Sequence, residues 1–311
     1  MLARVRSRLS VRVAWLPVAF VVWSAFRFLS GDRRWEIVAL AVVAPLLAFY
    51  SDKSKRLFDG LYPIGILGLV YDAMRFIKNF GLTAGRVHVC DLRELDMRLA
   101  SVEIHGVRAS VHDWLQAHAS LALDVVCAIP YGIFIYIVLA FAVFLYVKDY
   151  TRMRLFGWTF LLVNLAGFVT YHAYPAAPPW YFHAHGCAVD LASRASEGPN
   201  LARVDTLLGV PYFGAMYGRS SDVFGAMPSL HVAYPMLVVL FGWRHFGFAA
   251  RVGSLAFLGS MCFAAVYLDH HWITDVAVGL LYTVTIYAAL GALARHRSAR
   301  ELSPFAPPVT P

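Results

Sequence analysis

Long apolar runs separated by short basic turns dominate the chain, and their lengths predict membrane-spanning helices rather than a water-soluble core. The first, residues 13–29, follows Arg4, Arg6, Arg8 and Arg12. It outruns the apolar stretch of a signal peptide, contains Pro17 and Arg27 and lacks a small-x-small cleavage site, so a retained membrane helix is expected. Residues 35–50 return at roughly the minimum spanning length. Residues 57–80 are interrupted by Asp59, Asp72, Arg75 and Lys78 and fit either a span or an interfacial segment. Residues 86–118 turn polar, with Leu92, Leu95, Leu99 and Val102 at helical spacing, which predicts an amphipathic helix resting on the membrane surface or on the bundle. Strong spans follow at 121–147 and 155–174, the second ended by the prolines of 174–180. After an extramembrane stretch, 181–224, spans are expected at about 229–243, 252–268 and 273–293.

Composition sharpens this picture. Of 311 residues, 59% are hydrophobic and 15% charged, well above the apolar share of a soluble domain. The fold class is therefore all-α, a polytopic membrane helical bundle. The formal charge of +8 does not point to nucleic acid, because the basic residues cluster beside apolar runs. Lys53, Lys55 and Arg56, then Lys148, Arg152 and Arg154, then Arg244, His245 and Arg251, then Arg295, Arg297 and Arg300 mark successive cytoplasmic turns. With both termini inside the count of crossings is even, eight if 57–80 span and six if that segment and one of the first two do not. Cys90, Cys127, Cys187 and Cys262 show no Cys-x-x-Cys spacing; unpaired thiols are the expectation, with a Cys90–Cys187 pair on a shared outer face as the alternative.

Chemistry concentrates in two short segments at the front edges of apolar runs, Gly225 to His231 and Tyr267 to Asp275. His271 and Asp275 are four apart, so a helix starting near His270 puts them on one face, where the carboxylate accepts a proton from the imidazole. Pro228 and Ser229 read as a helix start, whose free N–H groups suit an anion, with His231 aimed at the same place. Two such histidines suit phosphoryl transfer through a phosphohistidine, with no metal and no other cofactor. Ser229 serves as phosphate ligand, N-cap or both, and His270 as phosphate or headgroup ligand or as a helix cap. Arg219, nearest the first segment on the outer side, is the expected phosphate clamp, followed by His172 and Arg203. His183 and His185 read as surface residues.

Ser229-Leu230-His231 behind Pro228, followed by His271-x-x-x-Asp275, resembles the second and third signature motifs of the type 2 phosphatidic acid phosphatase superfamily. Ala226-Met227-Pro228-Ser229-Leu230-His231, the doubled His270-His271 and the segment Tyr174-Pro175-Ala176-Ala177-Pro178-Pro179-Trp180 look like its inositol phosphorylceramide synthase branch, over roughly residues 120–295. The resemblance implies a six-helix phosphatase-like core, with His271 as nucleophile, Asp275 orienting it, and His231 protonating the departing oxygen and then deprotonating the incoming hydroxyl. It also implies a departure. The broader family supplies Arg six positions ahead of the nucleophile, where this chain has Ala265, and Lys148 to Arg154 falls on the inner side.

The expected organisation is an N-terminal membrane hairpin with an interfacial or amphipathic segment (1–120), a catalytic core (121–296) and a disordered cytoplasmic tail (297–311). The expected partners are membrane lipids, a phospholipid donor and a lipid-alcohol acceptor such as ceramide, at a multi-pass bacterial inner or plasma membrane or a Golgi-type membrane, with the site on the non-cytoplasmic face. The competing readings are a lipid phosphate phosphatase, in which water replaces the acceptor, and a transporter or lipid scramblase using histidine proton relays; the lack of repeated halves in the sequence counts against the latter.

Overall fold

The computed structural model describes residues 11–32, 35–77, 80–218 and 223–301. The chain divides into two compact units, Met1–Met74 with Ala142–Leu161 and Arg75–Phe141 with Leu162–Pro311. The first unit is built on α1 (Val11–Leu29), α2 (Trp35–Phe49) and α3 (Asp52–Ile77). Leu16 and Phe20 of α1, Ala44 and Ala48 of α2 and Phe58 of α3 form its apolar centre. Arg27, a charge inside an apolar run, is buried and paired with Asp32 and with Asp72 at 3.3 Å, while the Trp23 indole N–H donates to Asp72 at 2.9 Å. Pairing of this kind is what makes an ionised group tolerable at membrane depth. The ambiguous 57–80 region lies mostly within α3, a helix of 26 residues long and apolar enough to span.

The second unit begins with α4 (Cys90–Leu99), β1 (Ser101–Ile104), β2 (Val107–Ser110) and α5 (Val111–Ala117). The sequence reading made this region one amphipathic helix; the structure corrects it. Leu92, Leu95 and Leu99 do share a helix, but Val102 belongs to a strand, and β1 pairs antiparallel with β2 from Ser101 opposite Ser110 to Ile104 opposite Val107. The turn residues His105 and Gly106 both lie at positive φ, the backbone that closes a two-residue hairpin. A capping box between Ser110 and Asp113 then starts α5.

Helices α6 (Leu121–Lys148) and α7 (Tyr150–Ala173) follow, then short helices α8 (Pro179–His185), α9 (Gly198–Leu208) and α10 (Tyr212–Tyr217), then α11 (Leu230–Gly242), α12 (Phe248–Tyr267) and α13 (Ile273–Glu301). Along α6, Cys127, Tyr131, Phe134, Val138 and Phe141 alternate by four and three and are buried. Val126, Ile129, Ile133, Tyr136 and Leu139 stay exposed on the other side. An apolar stripe facing out is a surface for lipid. Among the described residues five helices are long and apolar enough to cross a membrane, and three shorter apolar ones accompany them. The protein is a helical, integral membrane bundle.

Three features stand apart from the sequence reading. Cys90 and Cys187, expected as free thiols, form a disulfide that ties the start of α4 to the loop after α8. Helix α13 starts at Ile273, as the expected span does, and not near His270, as the one-face argument for His271 and Asp275 requires. It also continues to Glu301, into the segment 297–311 expected as the tail, and residues 302–311 lie outside the described part of the chain.

Candidate active site

The site grows from how α11, α12 and α13 are joined. After α12 the backbone turns at Asp269, which takes φ 66°, a left-handed conformation that Asp tolerates better than most residues. The amides of His270 and His271 then both donate to the Ala265 carbonyl, at 3.2 and 3.0 Å. Trp272 is buried and anchors the loop through its indole N–H on the Ala177 carbonyl at 2.8 Å. Carboxylates close the exposed amides at the start of α13, Asp275 taking the Trp272 N–H at 2.8 Å and Asp96 the Thr274 N–H at 2.9 Å.

The first segment is aligned with this loop by backbone contacts. His88, Ala176 and Gly225 lie side by side in two parallel bridges, which holds the chain leading into Ala226. The Ser229 N–H then donates to the Asp275 carbonyl at 2.9 Å. Gly279 permits this approach, since a Cβ there would stand 2.3 Å from the Ser229 carbonyl oxygen. No side chain caps α11, and the Ser229 hydroxyl is buried without a hydrogen-bond partner among the described residues.

These joins bring the two histidines into direct contact, His231 Nδ1 lying 2.8 Å from His271 Nε2. The surrounding partners fix the protons. A carbonyl only accepts, so His271 Nδ1 carries the hydrogen donated to the Ala226 carbonyl at 2.8 Å, and Nε2 is left with its lone pair. His231 Nδ1 donates to that lone pair, and His231 Nε2 accepts from the Tyr217 hydroxyl at 3.2 Å. The result is a run from Tyr217 through His231 and His271 to the Ala226 carbonyl with each proton assigned.

Asp275 departs from the predicted geometry. Its carboxylate stands 3.7 Å from His271 Nδ1, beyond hydrogen-bond range, because His271 precedes the helix and the one-face argument does not apply. It acts on the imidazole as a nearby buried charge, while the Ala226 carbonyl holds the ring.

A cavity of about 100 Å³ opens over this pair, lined by His231, His270, His271, Tyr217, Trp180, Ser196 and the Gly225–Ala226 backbone, among others. The His231 ring is stacked on Tyr131 at 4.6 Å, and the Tyr131 hydroxyl is buried with no partner among the described residues. His270 donates from Nε2 to the Glu197 carbonyl at 2.6 Å and packs on Tyr217 at 4.6 Å. Burial, aided by the neighbouring His271, pushes its pKa down to about 4 against the pull of that carbonyl, so it is neutral at neutral pH. No lysine or arginine lines the cavity among the described residues.

The other expected ligands fare differently. His172 lies away from the cavity, stacked near Phe80, with its carbonyl taking a hydrogen bond from Arg86. Arg203 is committed to a two-point pair with Asp124 at 2.7 and 3.1 Å, an anchor between α9 and α6. Arg219 lies outside the described residues. His183, expected at the surface, keeps 29% of its side chain exposed yet bridges Asp113 and Asp269. Tyr131, Tyr217 and the Ala226 carbonyl were not foreseen. Only Asp269, inside the segment Tyr267 to Asp275, carried a signal, as a carboxylate directly before two histidines.

Comparison with known proteins supplies the context for this arrangement. Residues 97–289 match the model of the family described as the PAP2 superfamily. The chain is 31% identical over 270 residues to the phosphoinositol dihydroceramide synthase of Bacteroides thetaiotaomicron, covering 84% of this chain and 86% of that one. It is 34% identical over 169 residues to the inositol phosphorylceramide synthase of Candida albicans, covering 53% of this chain and 35% of the fungal one. A shorter match, 36% over 104 residues, joins it to inositolphosphotransferase 1 of Saccharomyces cerevisiae, of which it covers 20%. No solved structure matches.

Proposed function

This chain belongs to the PAP2 superfamily, and from that premise we propose that it is a membrane phosphotransferase moving phosphoinositol from phosphatidylinositol to the hydroxyl of a ceramide or dihydroceramide. The observation that carries the reading is the 2.8 Å contact between His231 Nδ1 and the free lone pair of His271 Nε2, at a cavity between helix ends. In the first step His271 Nε2 attacks phosphorus, the bond to the diacylglycerol oxygen breaks, and His231, doubly protonated once the rings have parted, passes one proton to that oxygen. In the second, the acceptor hydroxyl attacks phosphorus, its proton goes to His231, and the phosphorus–nitrogen bond breaks to restore His271. The two rings must part for phosphorus to enter, which leaves His231 beside the leaving oxygen.

Asp275 offsets the positive charge that His271 gains as a phosphohistidine. The buried hydroxyl of Ser229 and the uncapped amides of α11 are the ligands we assign to the phosphoryl oxygens, in place of the cations absent from the described cavity. His270 and the ring of Trp180 border the space for the headgroup. We assign the organisation 121–296 as the segment carrying the reacting groups, and the site to the non-cytoplasmic face. Arg244, Arg251 and Arg295 lie at the far ends of α11, α12 and α13 from the reacting histidines, and the Cys90–Cys187 disulfide suits an oxidising compartment.

The test feeds purified protein phosphatidylinositol labelled in the headgroup, with and without ceramide. Label in a new ceramide-dependent lipid is the expected outcome; free inositol phosphate as the sole product overturns transfer in favour of hydrolysis. Acid-labile label on the protein is expected in the His231→Ala variant and lost in His271→Ala.

A further inference from the structure

Beneath the loop carrying His270 and His271 runs a chain of alternating carboxylates and imidazoles that touches neither the cavity nor the reacting atoms. Arg93 of α4 donates to Asp113 of α5 at 2.6 Å, and His183 Nε2 donates to the other oxygen of Asp113 at 3.1 Å. His183 Nδ1 donates to one oxygen of Asp269, and His112 Nδ1 reaches the other at 3.2 Å. The far nitrogen of His112 stands 3.7 Å from Asp96, whose other oxygen holds both the amide and the hydroxyl of Thr274, at 2.9 and 3.2 Å. His112, Asp96 and Asp269 are fully buried.

The chain grips the tripeptide His270–His271–Trp272 at both ends, through Asp269 before it and Thr274 after it. His112 also sets its ring edge-on against Trp272 at 5.0 Å. Apart from Asp269, the carboxylates, imidazoles and guanidinium of this chain come from α4, α5 and α8. We propose that Asp269, clasped between His112 and His183, is a positioning residue that holds His271 Nε2 in line for the phosphoryl transfer. This rests on the transfer reaction proposed above. The leverage is geometric: a displacement of about 1 Å at a reacting atom costs on the order of a hundredfold in rate. Loss of one imidazole would leave a buried carboxylate half-paired and free to pull the loop with it.

Charge supports the geometry. Burial works against the proton on His183, but hydrogen bonds from its two nitrogens to Asp113 and Asp269 outweigh it and raise its pKa to about 9. Asp269 is held below its usual range, burial being overcome by His112 and His183. The groups facing His183 are Asp113 of α5 and Asp269 of the loop, with Arg93 of α4 behind Asp113.

The test is Asp269→Asn in the full-length protein. Asn accepts positive φ as readily as Asp, so the variant removes charge without new backbone strain. Expected is a fall of about a hundredfold in kcat per folded molecule with KM for phosphatidylinositol within threefold. The parent is expected to show an alkaline limb in kcat near pH 9, and His183→Gln to abolish it. Asp91→Asn, which removes an exposed His88 partner off the chain, leaves both quantities unchanged. A folded Asp269→Asn protein with kcat within threefold of the parent overturns the proposal; should that variant not fold, an unaltered alkaline limb in His183→Gln does so. If the parent itself transfers nothing, it is the assigned reaction that falls. Positioning is then judged by diethyl pyrocarbonate modification of His271, read by mass spectrometry, expected at least fivefold faster in His183→Gln and overturned by an equal rate.

Discussion

His271 owes its tautomer to a peptide carbonyl rather than to the carboxylate four residues on, and this changes what Asp275 is for. With Ala226 fixing the Nδ1 proton at 2.8 Å and Asp275 at 3.7 Å, Asp275→Asn keeps the ring's orientation and removes only charge stabilisation. The expected loss in kcat is roughly 10- to 100-fold, below the ~10⁴-fold seen where a carboxylate sets the tautomer itself; steady-state kinetics at saturating lipid measure it. His183 permits a pH test of stability at the same scale. Its folded pKa, about 9, stands above its ordinary 6.5, so its contribution is complete below about pH 6.5 and lost as pH rises through 9. Asp113 and Asp269 are depressed, so theirs is present above about pH 4 and lost on acidification. The melting-temperature gap between the parent and His183→Gln is therefore largest between about pH 4 and 6.5 and closes above pH 9. The sequence marked His231, His271 and Asp275 as residue types at a spacing. Arg203 and His183 misled it because a side chain's partner, Asp124 in one case and Asp113 with Asp269 in the other, lies 70 or more residues away.

At the scale of elements, the meeting of α11 and α13 decides whether the two histidines touch. Gly279 lets the second helix approach the N-cap of the first, and a methyl group there would fall 2.3 Å from the Ser229 carbonyl. Because the clash is with backbone, it has no side-chain rotation to relieve it, and overpacking of this kind costs about 1–3 kcal/mol or more. Gly279→Ala is expected to lower the melting temperature and, by moving His231 from His271, to reduce transfer more than tenfold; thermal unfolding and the labelled-lipid assay read the two effects. The apolar runs gave the spans, since α6, α7, α12 and α13 fall where hydropathy puts them. Helix α13 begins after His271 because Asp96 and Asp275 together satisfy its first amides, and Asp96 arrives from α4. The hairpin between α4 and α5 was hidden by the helical spacing of Leu92, Leu95 and Leu99, which ends at Leu99, just before the strand containing Val102.

Over the whole molecule, the unit that holds the site also takes in the segment 75–120, which the sequence set with the N-terminal hairpin. The disulfide closes a separation of 97 residues from that segment to the loop after α8. Cross-links of this kind typically stabilise by about 2–5 kcal/mol. Cys187→Ser is expected to lower the melting temperature by several degrees and to expose Cys90 to maleimide, a label that the parent takes at this residue only after reduction. What the amino-acid order determined alone was the membrane class, the positions of the long helices and the identity of the two imidazoles that the proposal sets to work, because hydropathy and local spacing are properties of neighbouring residues. Tertiary structure decided which carbonyl holds His271, which carboxylates clasp its loop and which of them satisfy the first amides of α13. Those choices depend on contacts between segments from about 45 to nearly 180 residues apart, and no local pattern encodes them.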